Sequence, residues 1–218
     1  MQRLLEAPEV LFRIGPVPIT ETVFNGWLVM LGLIVIGLAA TRSIRRRPQG
    51  LQAVAEIAVD GCKQLISMTM GPERIGFLGY MGSLIAFILA ANMIGITGLR
   101  PPTSDLNITM GMAIITFFMV HYYGTRSQGV TGYLKTLAQP IVFLLPINIV
   151  GELARPISLG IRLFGNIIGG SIIMAMIYDV AAVAVPIPFH LYFDVFVGIL
   201  QCFIFAALTM VFVGLAME

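Results

Sequence analysis

Five apolar stretches, each long enough to cross a bilayer, constrain this chain more than any other feature. A membrane-crossing helix needs roughly 20 mainly apolar residues. Thr20 to Ala40 is the first such stretch and Phe77 to Gly98 the second. Leu106 to Tyr123, Pro140 to Val185 and Pro188 to Ala216 complete the set. Charged residues make up 11% of the chain and hydrophobic ones 58%, whereas a soluble domain carries about 25% charge. The expected fold is therefore an all-α polytopic membrane protein, with about five membrane-embedded helices and one interfacial amphipathic helix. Residues 1–218 read as one membrane domain: a first span at 20–40, an interfacial helix at 51–70, a helical hairpin at 77–123, and two long oblique helices over 140–216. A net charge of +2 is too small to suggest a nucleic-acid partner.

Charge sets the orientation. Arg42, Arg45, Arg46 and Arg47 follow the first span directly, which by the positive-inside rule puts them in the cytoplasm and the N-terminus outside. Alternation then leaves eight basic residues inside against three outside, Arg3, Arg13 and Arg100, and makes the C-terminus cytoplasmic. The first twenty residues contain no apolar run of signal-peptide type, so no cleavage is expected. From Leu51 to Met70, Leu51, Val54, Ala58, Leu65 and Ile66 fall on one face, and Gln52, Glu56, Asp60, Lys63 and Ser67 on the other. Such a helix lies along the cytoplasmic interface or against a soluble partner domain.

The fourth stretch is too long for one upright helix. As a continuous rod its 46 residues would run about 69 Å at 1.5 Å per residue, against a hydrocarbon core of about 30 Å. It must tilt strongly, or break near Pro146 or Pro156. Within it, PISLGIRLFGNIIGG (Pro156 to Gly170) puts Arg162 in membrane-buried sequence, where an arginine costs about 2.5 to 3.5 kcal/mol on insertion scales. Ser158, Arg162, Asn166 and Gly169 share one narrow face. Gly165 and Gly169 form a GxxxG, which lets another backbone come close in lipid, so a partner helix is expected beside the arginine. The alternative is a snorkelling or internally paired structural arginine.

On the last stretch, helical spacing puts Asp194, Gly198, Gln201 and Phe205 on one face. Asp194, Gln201, Asn166 and Arg162 together would line a polar path towards the membrane middle; the alternative for Asp194 is an interfacial helix-start residue favoured by the helix dipole. His190 and His121 are weaker candidates. Cys62 and Cys202 imply neither a disulfide framework nor a metal site. There is no Walker-type phosphate loop, metal-ligand spacing or nucleophile motif, so no cofactor is expected.

The string PINIVGELARPISLGIRLFGNIIGG (Pro146 to Gly170), with PTSDLN (Pro102 to Asn107) and ILQCFIF (Ile199 to Phe205), closely resembles subunit a of F-type ATP synthases. The resemblance implies an ion-translocating stator subunit, non-catalytic by itself, pressed against a rotating ring of c subunits and held by peripheral-stalk b subunits. Two offset half-channels would couple H+ or Na+ flow to ring rotation. Arg162 occupies the position of the family's essential arginine, Gln201 that of the glutamine opposite, and Asn166 that of the asparagine one turn on. Gly165 and Gly169 would face the rotor. The chain departs from the pattern in three places. Ser171 stands nine residues after the arginine, at an often titratable position; Asn148 replaces the usual acid of the PIxI string; and Asp194 stands where relatives carry histidine or glutamate. Ser171 and Asp194 join the ion-path candidates, with Asn148, Glu152 and His190 as accessory ones. A bacterial plasma (inner) membrane is the expected location. An independent secondary transporter or channel is the competing function, although the inverted repeats and paired broken helices expected of one are not apparent; a purely structural scaffold would not need a mid-membrane arginine.

Overall fold

The computed structural model describes residues 9–14, 17–42, 44, 49–137, 143, 145–180 and 185–217. It is an all-α polytopic membrane protein in which five helical segments have the length and apolarity to span a bilayer. Before the first of them, β1 (Val10–Ile14) and β2 (Val17–Thr20) pair antiparallel, a hairpin the helical pattern does not announce. α1 (Glu21–Thr41) follows directly. Its outer face is apolar and open, with Leu31, Ile34 and Leu38 each more than half exposed, as suits a helix solvated by lipid.

α2 (Leu51–Met70) is not one of the five. Ile66 and Met70 at its C-terminal end are buried, while Val54 and Ile57 stay exposed. It leads through a 3-10 turn at Pro72–Phe77 into α3 (Leu78–Met93). α3 ends in a second 3-10 turn, Ile94–Thr97.

The connection that follows is folded inward: Arg100 to Asp105 are all buried. Its polar groups are satisfied by neighbouring helices, as buried groups must be. Thr22 donates to Asp105 Oδ2 at 2.7 Å, Asn25 Nδ2 to the Arg100 carbonyl at 2.9 Å, and Thr103 to Asn92 Oδ1 at 2.8 Å. The amide of Asn92 in turn donates to the carbonyl of Gly198 at 3.0 Å.

α4 (Leu106–Leu137) runs past Tyr123, where the third apolar stretch ends, into the expected cytoplasmic loop. It is broken at Gly129, whose φ of 74° lies in the left-handed region that glycine enters without steric cost. The chain then doubles back, and Tyr133 packs against Gly124. α5 (Leu145–Val180) is one helix of 36 residues, about 54 Å long, so of the two expectations for the fourth stretch it is the long helix that forms. Pro146 falls in the first turn, where a missing N–H costs nothing, and Pro156 is carried inside the helix. The expected start at Pro140 lies outside the described residues.

The last stretch opens at Pro186, with α6 (Pro186–His190), continues as a π-helical segment, Leu191–Val197, and ends as α7 (Gly198–Met217). α7 is central, packed on α2, α3, α4 and α5. The core it organises includes Met81, Ile88, Leu163, Phe205, Met210 and Val213. At its C-terminal end, where helix carbonyls lack partners, Arg74 donates to the Gly214 carbonyl, Gln128 to that of Ala216 and Ser127 to that of Met217.

Candidate functional site

α5 divides cleanly around its circumference. Leu159, Leu163 and Met174 are buried against the bundle, and Gly170 meets the ring of Phe193. Ser158, Arg162, Gly165 and Asn166 face outward and are exposed. A Cβ placed on Gly165 or Gly169 would meet no atom within 4 Å. Among the described residues the GxxxG is therefore not a seam between two helices, and none of them supplies the partner expected beside the arginine. Among the described residues none forms a hydrogen bond or ion pair with Arg162, which removes the internally paired alternative within that set. One turn on, Asn166 Nδ2 donates to Gln201 Oε1 at 2.6 Å. Gln201 is 2% exposed, so the pair ties the arginine face of α5 to the core helix α7.

Asp194 does not stand in line with Gln201. An i→i+5 turn holds one residue more than an α-turn, and one added residue rotates the preceding segment by about 100°. The π-helical segment thus turns His190 and Asp194 away from the Gln201 line and towards the C-terminal part of α5. There Tyr178 Oη lies 2.7 Å from His190 Nε2, and His190 Nδ1 lies 2.6 Å from Asp194 Oδ2. These three residues, with Ser171, Glu21 and Arg100, line a cavity of about 390 Å3. Ser171 donates its hydroxyl to the Ile167 carbonyl of its own helix at 2.9 Å.

A second cavity, of about 440 Å3, opens at the other end of α5 between Tyr133, Asn148, Glu152, Arg155 and the end of α7. Glu152 and Arg155 form an ion pair, and the guanidinium of Arg155 sits 5.2 Å from the centre of the Phe212 ring, a cation–π distance. Arg162 lines neither cavity. Along α5 it stands about 15 Å from Glu152 and about 14 Å from Ser171 at 1.5 Å per residue.

The residues proposed from sequence thus fall into three groups: Arg162, Asn166 and Gln201 at the middle; Ser171, His190 and Asp194 at one end; Asn148 and Glu152 at the other. His121 joins none of them; its ring lies tilted against Phe117 and edge-on to Tyr133. Sequence reasoning passed over Tyr178, Arg155, Tyr133, Glu21 and Arg100. Only Tyr178 had a usable signal: a phenol two helical turns beyond Ser171 in otherwise apolar sequence.

An exposed arginine at mid-helix, one turn from an asparagine bonded to a buried amide and set between two polar cavities in a lipid-facing bundle, defines a membrane subunit that moves ions. Residues 23–214 match the family described as ATP synthase A chain, and the chain belongs to that family, the ion-translocating stator subunit of F-type ATP synthases. It is 38% identical over 208 residues to ATP synthase subunit a 2 of Bradyrhizobium sp., covering 95% of this chain and 93% of the relative. It is 35% identical to ATP synthase subunit a of Moorella thermoacetica, covering 95% of each. It is 34% identical to the sodium-ion-specific ATP synthase subunit a of Propionigenium modestum, covering 90% of this chain and 73% of the relative. As a family member it works in a complex with other ATP synthase subunits.

Proposed function

We propose that the two cavities are offset half-channels and that the outward face of α5 is the surface on which a ring of c subunits turns. Peripheral-stalk b subunits hold the chain fixed, and the subunit itself performs no ATP chemistry. The observation that carries this reading is the exposed Arg162, without a partner among the described residues, beside two glycines at which a Cβ would meet no described atom within 4 Å. A charge left open in the membrane requires a partner of opposite sign, and a carboxylate on a closely approaching rotor helix supplies one.

The charge pattern orients the assembly. Arg42, Lys63, Arg74 and Arg126 belong to the end that carries the Glu152 cavity, which puts this end in the cytoplasm of a bacterial cell, α2 along the inner leaflet, and the Tyr178 cavity and the N-terminus outside. An ion entering from outside loads a ring carboxylate on one side of Arg162 and leaves by the Glu152 side after nearly a full turn. A rotor carboxylate brought against Arg162 must ionise, because a nearby cation favours the charged form and a guanidinium does not lose its proton. The same charge repels cations that would leak directly between the cavities. Each ion crossing 100 mV then delivers about 2.3 kcal/mol as torque.

The test is driven and passive ion flux in vesicles carrying the assembled complex, wild type against Arg162→Ala, with H+ and Na+ supplied separately. Loss of ion-driven ATP synthesis with a new uncoupled leak is expected. Unchanged coupled synthesis would make Arg162 structural and overturn the proposal.

A further inference from the structure

We infer that a third cavity, at the membrane boundary between the start of α3, α4 and the end of α7, binds the phosphate of an anionic phospholipid on Arg74 and Arg126. It shares no lining residue with either half-channel cavity and does not depend on ions passing through them. Only its leaflet, the inner one, follows from the assigned orientation.

Three observations carry it. The first is charge. Arg74, Arg126 and Glu73 line one cavity of about 470 Å3. Among the described residues neither arginine forms an ion pair, whereas Lys63 is paired with Asp60 and Arg155 with Glu152. Two guanidiniums against one carboxylate leave a net positive charge, and like charges facing one space favour an anion between them. The second is preorganisation. Arg74 Nη1 donates to the Gly214 carbonyl at 3.3 Å, and Arg126 Nη1 to Tyr122 Oη at 3.0 Å. A guanidinium carries five N–H donors, and these are the only bonds either arginine makes among the described residues. Each is anchored at one corner, with a fork of donors left for a phosphate. The third is depth. The lining includes Phe77 on the turn that leads into α3, Tyr123 where the third apolar stretch ends, and Met217, the last residue of α7. Three helices thus leave the apolar layer at this cavity. The rings of Phe77 and Tyr123 lie 4.3 Å apart there, at the level where aromatic side chains collect.

Depth also selects the source of the phosphate. Basic pockets between membrane helices on the cytoplasmic side suit lipid headgroups, and the cavity has room for one, since a water occupies only about 30 Å3. Phe77, Tyr123 and Met217 offer the glycerol and the first acyl carbons an apolar wall, which a free phosphate ion does not use. The phosphodiester of phosphatidylglycerol carries one negative charge and so matches the net charge of the lining. Phosphatidylethanolamine brings the same phosphate with an ammonium that cancels it, and leaves the two arginines unneutralised. A headgroup held here bridges three helices at the point where Arg74, Gln128 and Ser127 meet the last carbonyls of α7. It therefore fastens the end of the helix on which the core is built.

The experiment uses the assembled complex in vesicles that contain phosphatidylglycerol with a photoreactive diazirine near its glycerol backbone, and reads the labelled peptides by mass spectrometry. Labelling is expected on the segments that hold Phe77 and Tyr123. Unlabelled phosphatidylglycerol should displace it, and neither phosphatidylethanolamine at the same mole fraction nor inorganic phosphate should. Arg126→Gln should lower labelling about fivefold, the scale of one basic side chain at an anionic surface, and the double variant Arg74→Gln, Arg126→Gln about 25-fold. Arg126→Lys keeps the charge and should retain most of the labelling. If loss of the Arg74 bond to Gly214 prevents assembly of the double variant, Arg126→Gln decides alone, because among the described residues Arg126 is bonded only to an exposed tyrosine. Wild-type labelling in Arg126→Gln, or equal displacement by phosphatidylethanolamine, would mean that lipid merely solvates these helices. Displacement by inorganic phosphate would assign the cavity to a free ion, and a loss in Arg126→Lys as large as in Arg126→Gln would point to packing and not charge. Each of these results overturns the proposal. The assay reads binding and not ATP synthesis, so its outcome is separate from that of Arg162→Ala.

Discussion

Enlarging Gly165 and Gly169 should make the isolated subunit more stable and the working complex worse. A Cβ on either glycine would meet no described atom within 4 Å, so in the free protein the change is one of helix propensity, and each Gly→Ala replacement should stabilise α5 by about 1 kcal/mol. If this face meets the rotor as proposed, the same positions set how closely a rotor helix approaches Arg162 in the complex. If Gly165→Leu and Gly169→Leu hold that helix about 2 Å farther away, two unit charges move from 4 to 6 Å apart. At an effective dielectric of 20 their attraction then falls from about 4.2 to about 2.8 kcal/mol. The difference, about 1.4 kcal/mol, is one pKa unit on the rotor carboxylate, or a tenfold fall in its ratio of ionised to protonated form beside the arginine. Thermal unfolding of the purified subunit in detergent reads the first effect, and ion-driven ATP synthesis by the reconstituted complex reads the second. Unchanged synthesis in the assembled leucine variants would mean that this face meets only lipid. A lower unfolding temperature in the alanine variants would mean that it packs within the chain. Either result refutes the reasoning.

Two further outcomes test other parts of the fold. Gly124→Ala should destabilise, because its Cβ would lie 2.6 Å from a Tyr133 ring carbon and 2.9 Å from the Ala216 carbonyl oxygen. Overpacking of this kind costs about 1 to 3 kcal/mol, and thermal unfolding would reveal it. The thiols should differ in reactivity, since Cys202 is buried and bonded to the Ile85 carbonyl while Cys62 on α2 is partly open. Burial pushes the Cys62 thiol above its usual range, and the thiolate is the reactive form. Its labelling by an impermeant maleimide should therefore be slow at neutral pH, keep rising as pH climbs past the ordinary thiol range, and occur only in inverted vesicles. Labelling in right-side-out vesicles would reverse the assigned orientation.

Much of this protein was legible in the order of its residues. The five spans follow from hydrophobic length, because a bilayer admits little else, and Arg162 stands out because charge in lipid is costly enough to demand a reason. The exposure of Ser158, Arg162 and Asn166 on one face follows from the 3.6-residue period. That period also misled at Asp194, since nothing in LYFDVFV signals the extra residue per turn that rotates it away from Gln201. The hydrogen bonds linking Asn92, Thr103 and Gly198, the pairing of Asn166 with Gln201, and the meeting of Tyr178 with His190 join residues far apart in the chain or on different helices. Periodicity reports which way a side chain points from its own axis and nothing about what another helix brings to meet it. The sequence by itself determined the class of fold, the membrane setting and the charge at its centre. Only the tertiary structure decided which polar groups touch, because that depends on how the helices cross and on one local change of helical pitch.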